Sequence, residues 1–199
     1  MKVLATGDFH GDVLFAKQVS QKAKESDLVF LIGDVTQDDD FFENTIGPIA
    51  KYAKKLAFLP GNHESPSTMD FLLQKYGMLN LHGDGFKVGD VGFFGCGGAT
   101  CGPHFVLSED EIFSHLKTGF EKIKDIRKKV MITHMHPAGS IMGKIDRFVS
   151  PSKAITKAIK ELKPDLLICG HAHWGQGMEE ILYGTKIINV GRQTKIIDI

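Results

Sequence analysis

Five short apolar runs in this chain each lead into a small polar cluster, and every cluster holds a residue able to ligate a metal. Residues 3–7 lead to Asp8 and His10, and residues 28–32 lead through Gly33 to Asp34. Residues 56–59 lead to Pro60-Gly61-Asn62-His63-Glu64, residues 130–133 to His134, and residues 166–169 to Gly170-His171-Ala172-His173. Apolar runs this short read as buried strands, and helix-like stretches separate most of them, so parallel strands with helical crossovers are expected. Parallel strands end along one edge, where ligands bind in open α/β sheets. All five clusters should therefore meet in one crevice.

The rest of the chain fits around that frame. Helical patterns fall near residues 12–25, 41–54 and 67–76. A β-rich segment follows at 78–97, with Gly89-Asp90 as a tight hairpin turn. Ser108 and Glu111 have the spacing of a capping box, so a helix starts there. A strand at 129–133 precedes a long loop, 135–149, which is expected to border a binding site. Ser150-Pro151 predicts a helix start with proline at its first position. Strands near 166–169, 177–183, 185–190 and 194–198 close the chain, with Tyr183-Gly184-Thr185 as a turn. Two β-rich halves with helices outside predict a four-layer α/β/β/α sandwich of two packed mixed sheets. The 199 residues suit a single domain spanning 1–199, large enough for a core without staples.

Charge and composition remove several classes of function. Lys and Arg total 24 and so do Asp and Glu, so nothing indicates a general attraction to nucleic acid. No apolar stretch approaches the length of a membrane span, and no basic-then-apolar leader precedes the strand that opens at Lys2. Three cysteines are too few, and odd in number, for a disulfide framework. The expectation is a cytoplasmic protein with reduced thiols.

The candidate ligands are Asp8, His10, Asp34, Asn62, His134, His171 and His173. They offer oxygen and nitrogen without thiolate, which suits Mn, Fe, Zn, Co or Ni. Seven donors exceed one tetrahedral site and fit two metals that share a bridging carboxylate. Two metals roughly 3.5–4 Å apart clamp the attacking and leaving oxygens of an in-line displacement at phosphorus.

In these blocks, taken in order from Asp8 to His173, the chain resembles the calcineurin-like metallophosphoesterases. The resemblance implies the α/β/β/α sandwich, a dinuclear site and phosphoester hydrolysis. It implies that Asp8, His10 and His173 hold one metal, that Asn62, His134 and His171 hold the other, and that Asp34 bridges both. Water between two cations loses a proton readily, since one metal alone lowers its pKa to about 7, and the resulting hydroxide attacks phosphorus. His63 then has the place of a proton donor to the leaving alkoxide, with Glu64 orienting it or acting behind the ligands. Related protein phosphatases carry an arginine soon after the Gly-Asp block. Here Gly33-Asp34-Val35-Thr36-Gln37-Asp38-Asp39-Asp40 has none. The small size and Phe93-Phe94-Gly95-Cys96-Gly97-Gly98 are similar to small prokaryotic phosphodiesterases of this superfamily. The expected activity is hydrolysis of a nucleotide or other small phosphodiester with two divalent ions, manganese first. A phosphomonoesterase is the alternative, and the complete ligand set weighs against a non-catalytic interaction module.

Other residues take plainer readings. Asp12 reads as a helix N-cap, and Asp38-Asp39-Asp40 as a solvated loop that would repel an anionic substrate if it faced the site. His136 is divided evenly between pocket and loop. His82, His104, His115, Cys96, Cys101 and Cys169 read as structural, and Arg192 as a surface charge rather than a phosphate contact.

Overall fold

Alternate residues along the buried strands face opposite ways, and this divides the interior into three apolar layers. The computed structural model describes every residue except Phe42, Asp146 and Arg147. Strands β1 (Lys2–Thr6), β2 (Leu28–Ile32) and β3 (Leu56–Leu59) alternate with helices α1 (Val13–Ala23), α2 (Glu43–Tyr52) and α3 (Pro66–Tyr76). They pair in parallel, continue to the short β4 (Leu79–Asn80), and are bordered by β11 (Thr194–Asp198), antiparallel to β1. The second sheet runs β5 (Asp84–Val88), β6 (Val91–Cys96), β7 (Lys128–Thr133), β8 (Leu166–Cys169), β10 (Thr185–Asn189), β9 (Glu179–Leu182). Its four inner strands are parallel and its two edge strands antiparallel. Both sheets are thus mixed.

Val3, Ala5, Phe30, Ile32 and Leu59 of the first sheet meet Phe93, Val130, Ile132, Ile168 and Ile188 of the second in one core. The intervening residues point outward. Leu4, Val29, Leu31 and Phe58 pack under α1, α2 and α3. Met131, Leu167, Cys169 and Ile187 pack under α4 (Glu109–Glu121) and α6 (Lys153–Leu162). A period-two strand buried on both faces needs cover on both. The result is the expected α/β/β/α sandwich.

Several boundaries follow local chemistry. Asp12 accepts a hydrogen bond from Phe15 N at 2.9 Å and caps α1. Ser108 and Glu111 form a full capping box at α4. In the β9–β10 hairpin both Tyr183 (φ 50°) and Gly184 (φ 86°) are left-handed, a two-residue turn that leaves Thr185 inside β10. One boundary differs from expectation. Helix α6 begins after Ser152, not at Ser150-Pro151. The Glu109 carboxylate, from the start of α4, accepts hydrogen bonds from Ser152 Oγ, Lys153 N and Ala154 N. A tertiary contact therefore sets that terminus. The long 135–149 loop also holds a one-turn helix, α5 (Met142–Ile145).

Candidate metal centre

The five clusters meet at one place although two sheets supply them. β1, β2 and β3 bring Asp8, His10, Asp34 and Asn62 from one side, while β7 and β8 bring His134, His171 and His173 from the other. Ligand atoms of Asp8, His10 and His173 lie within 4.8 Å of one another, as do those of Asp34, His134 and His171 and those of His10, Asp34 and His63. His173 Nε2 is 3.2 Å from Asp8 Oδ1. Asp34 Oδ2 stands 3.3 Å from His134 Nε2 and 3.6 Å from His10 Nε2. Asn62 Oδ1 is 3.2 Å from His134 Nε2.

The backbone is bent to aim these groups inward. Asp8 (φ 58°), His10 (φ 46°), Asp34 (φ 49°) and His171 (φ 65°) are all left-handed, a conformation that costs on the order of 1–3 kcal/mol each in a non-glycine residue. Two glycines make room: a Cβ on Gly61 would run into Asp34 Oδ1, and one on Gly170 would stand 2.6 Å from Asp8 Oδ2.

Three buried groups hold the loops in register. The Glu64 carboxylate accepts hydrogen bonds from Asp34 N (2.9 Å), Thr36 N (2.8 Å), Thr36 Oγ1 (2.9 Å) and Gly61 N (2.7 Å), tying the loop after β2 to the loop after β3. Asp8 accepts from His171 N, joining the two sheets. Asn189 donates from Nδ2 to Ala172 O (2.8 Å) and accepts from Gly191 N (2.7 Å), bracing the turn that carries His171 and His173.

Electrostatics separate the histidines. Burial pulls His134 down, but the adjacent Asp34 carboxylate outweighs it and raises the ring to about 10. Burial and the neighbouring His134 pull His171 down to about 3. Burial likewise lowers His10, while a hydrogen bond to Asp8 raises His173. Burial and the Asp34 charge push Glu64 up to about 7, against the hydrogen bonds that favour its ionised form.

The donor set fits divalent cations. His10 Nε2 and His171 Nε2 are buried and form no hydrogen bond among the described residues. An unmet buried polar group costs about 1–3 kcal/mol, and here both nitrogens sit in a cluster that includes Asp8 and Asp34. Nitrogen and oxygen donors of this kind suit first-row transition metals.

Of the two roles open to Glu64, the structure agrees with the one behind the ligands, since its carboxylate braces the ligand loops and makes no described contact with the His63 ring. The residue on the His63 ring is Asp38, whose Oδ1 lies 2.6 Å from Nδ1. The run 38–40 is therefore more than a solvated loop, since Asp39 also accepts from Ser65 N at 2.7 Å. His136 is fully buried against Gly143. Arg192 is paired with Asp12 at 3.5 Å on the surface. A cavity of about 230 Å³ opens over the cluster, lined by His10, Asp34, Asn62, His63, His171 and His173 and, at its mouth, by Phe148, Val149 and Trp174. Sequence reasoning gave Asp38 and Trp174 no part in the site, whereas Phe148 and Val149 lie in the 135–149 loop that was expected to border it.

The sequence model of the calcineurin-like phosphoesterases matches residues 1–175, and the chain belongs to that family. Membership supports metal-dependent phosphoester hydrolysis. The fold is shared with TT1561 of Thermus thermophilus, at 16% identity and a TM-score of 0.76, covering 99% of this chain and 98% of that one. It is also shared with phosphopantetheinyl hydrolase (PptH) from Mycobacterium tuberculosis, at 13% identity and a TM-score of 0.61, covering 96% and 89%. No curated protein matches the chain by sequence. Among the described residues no helix is long and apolar enough to cross a membrane.

Proposed function

We propose that this protein is a phosphodiesterase acting on a nucleotide or other small phosphoester with two divalent metal ions, manganese first among them. The observation that carries the reading is the meeting of seven nitrogen and oxygen donors from five strand ends beneath the Asp38–His63 pair. Asp8, His10 and His173 would hold one ion and Asn62, His134 and His171 the other, with Asp34 shared. Bound metals supply Lewis-acid polarisation of phosphoryl oxygens and a more acidic water. The chain supplies the rest. His63 lines the cavity with Nδ1 held by Asp38, which leaves Nε2 to give a proton to the alkoxide as the P–O ester bond breaks. The Asp38 carboxylate, 2.6 Å from Nδ1, keeps the ring oriented. Ligands come from both sheets, so residues 1–199 act as one unit. A reducing, cytoplasmic setting accords with free Cys96, Cys101 and Cys169.

The test is turnover of bis(p-nitrophenyl) phosphate and p-nitrophenyl phosphate by Mn²⁺-loaded protein, with His63→Ala alongside. Diester turnover that falls about 10²-fold in the variant, with metal content unchanged, supports the reading. A monoester preference would make the protein a phosphomonoesterase. No turnover of either ester with Mn²⁺, Ni²⁺, Co²⁺ or Zn²⁺ would overturn the reading.

A further inference from the structure

We infer that Phe148 and Trp174 form a stacking subsite for a planar aromatic group on the substrate, a nucleobase in the first instance, so that the enzyme's phosphoester belongs to a nucleotide. The inference rests on the phosphoesterase reading and deepens it.

Large aromatic side chains are usually withdrawn from water. Of the described phenylalanine, tyrosine and tryptophan residues, Phe148 (85% exposed) and Trp174 (69%) are the two most exposed. Both line the cavity that holds the candidate metal ligands. Trp174 directly follows ligand His173 in a 3₁₀ turn, His173–Gly175. That turn is braced by Gly175 N donating to Ala172 O (3.0 Å) and by Asn189 on the same oxygen. Phe148 follows α5, which packs on the same turn: a Cβ on Gly175 would stand 2.9 Å from Met142 Cβ. Trp174 thus sits on the turn itself, Phe148 lies three residues beyond the helix packed against it, and both line the cavity beside the candidate ligands.

The size of the cavity points the same way. At about 230 Å³ it is smaller than the ~300–1,000 Å³ usual for a pocket that encloses a whole small ligand. A ligand bound there is not fully enclosed, and the organic part of the ester would extend across Phe148 and Trp174, the most exposed of the lining residues. Aromatic faces accept any base by stacking, with a loss of roughly 10-fold or more in affinity when one is removed.

Trp174 is the only tryptophan of the chain, so its emission reports the subsite without turnover. Mn²⁺-loaded protein, excited at 295 nm, is titrated with AMP, ribose 5-phosphate and inorganic phosphate, with chromatography to show that the esters stay intact. The expected result is quenching by AMP with a Kd at least ~10-fold below that of ribose 5-phosphate. Phe148→Ala should remove most of that advantage, and Phe148→Tyr should keep it, with phosphate affinity and metal content unchanged in both. Equal Kd values for AMP and ribose 5-phosphate, with phosphate still bound, would overturn the subsite and leave the phosphoesterase reading standing. An AMP advantage fully kept in Phe148→Leu would also overturn it, because leucine is apolar but has no face to stack on. Failure to bind phosphate at all would overturn the functional reading and the subsite with it.

Discussion

The two halves proposed for the candidate metal centre differ in how far they are withdrawn from water. Asp34, His134 and His171 are each no more than 7% exposed, whereas on the other side His10 keeps 15% and His173 38% of its side chain accessible. In the inner half the protein compensates charge internally. Asp34 Oδ2 stands 3.3 Å from His134 Nε2, and the carboxylate raises that ring to about 10. In the outer half Asp8 is itself buried and accepts from the His171 backbone, and although both halves line the cavity, His10 and His173 are the more exposed. The inner donors are thus more enclosed and electrostatically coupled, and the outer histidines more exposed.

Asp34 belongs to two of the candidate ligand clusters and is proposed to bridge the two ions, so its loss should have the largest effect. Asp34→Ala should lower Mn²⁺-dependent turnover by roughly 10³-fold and reduce metal content in both halves, read by elemental analysis beside the diester assay. Near-normal turnover would remove its bridging role.

Next comes the pH dependence of metal uptake. His134 must be neutral to ligate, and its raised value keeps it protonated across the neutral range. Binding to the inner half should therefore release a proton, and its Kd should fall about 10-fold per pH unit between pH 6 and 8. The outer half should respond less, because burial lowers His10 and only His173 is raised. Calorimetry in buffers of different ionisation enthalpy measures the release, and equal proton counts for the two ions would break the contrast. The sign for the metal-free fold is the reverse. A histidine raised by its partner stabilises fully below its unfolded value near 6.5, so stability should decline as pH rises toward 10.

The described hydrogen bonds of Glu64 reach the loops that carry Asp34 and Asn62, not those that carry Asp8 and His173. Glu64→Ala should weaken metal binding by roughly 10- to 100-fold, with the inner ion lost first, and Glu64→Gln should restore part of it. Loss of the outer ion first would contradict the assignment. The smallest effect belongs to Asp38, which touches His63 and no candidate ligand in the described hydrogen bonds. Asp38→Asn should lower kcat by about 10-fold with metal content intact.

Comparison with the sequence shows where local chemistry suffices. The N-caps at Asp12 and Ser108, the Gly89-Asp90 hairpin turn and the five strand-end clusters were legible because each depends on residues near one another in the chain. The α6 boundary was not, since Glu109 caps that helix from 43 to 45 residues away. Asp38 looked like one of three equivalent acids until the fold brought it to His63. Glu64 looked like a neighbour of His63, yet its carboxylate turns away to four donors on two loops.

The sequence by itself determined the layers and the donor inventory, because period-two burial and strand-end placement are written in local order. Only the tertiary structure decided how those donors divide into a buried and an accessible half, which acid serves the proton donor, and which aromatics border the cavity. Those outcomes depend on left-handed turns at Asp8, His10, Asp34 and His171 and on contacts between two sheets, and neither has a signature in the spacing of residues along one chain.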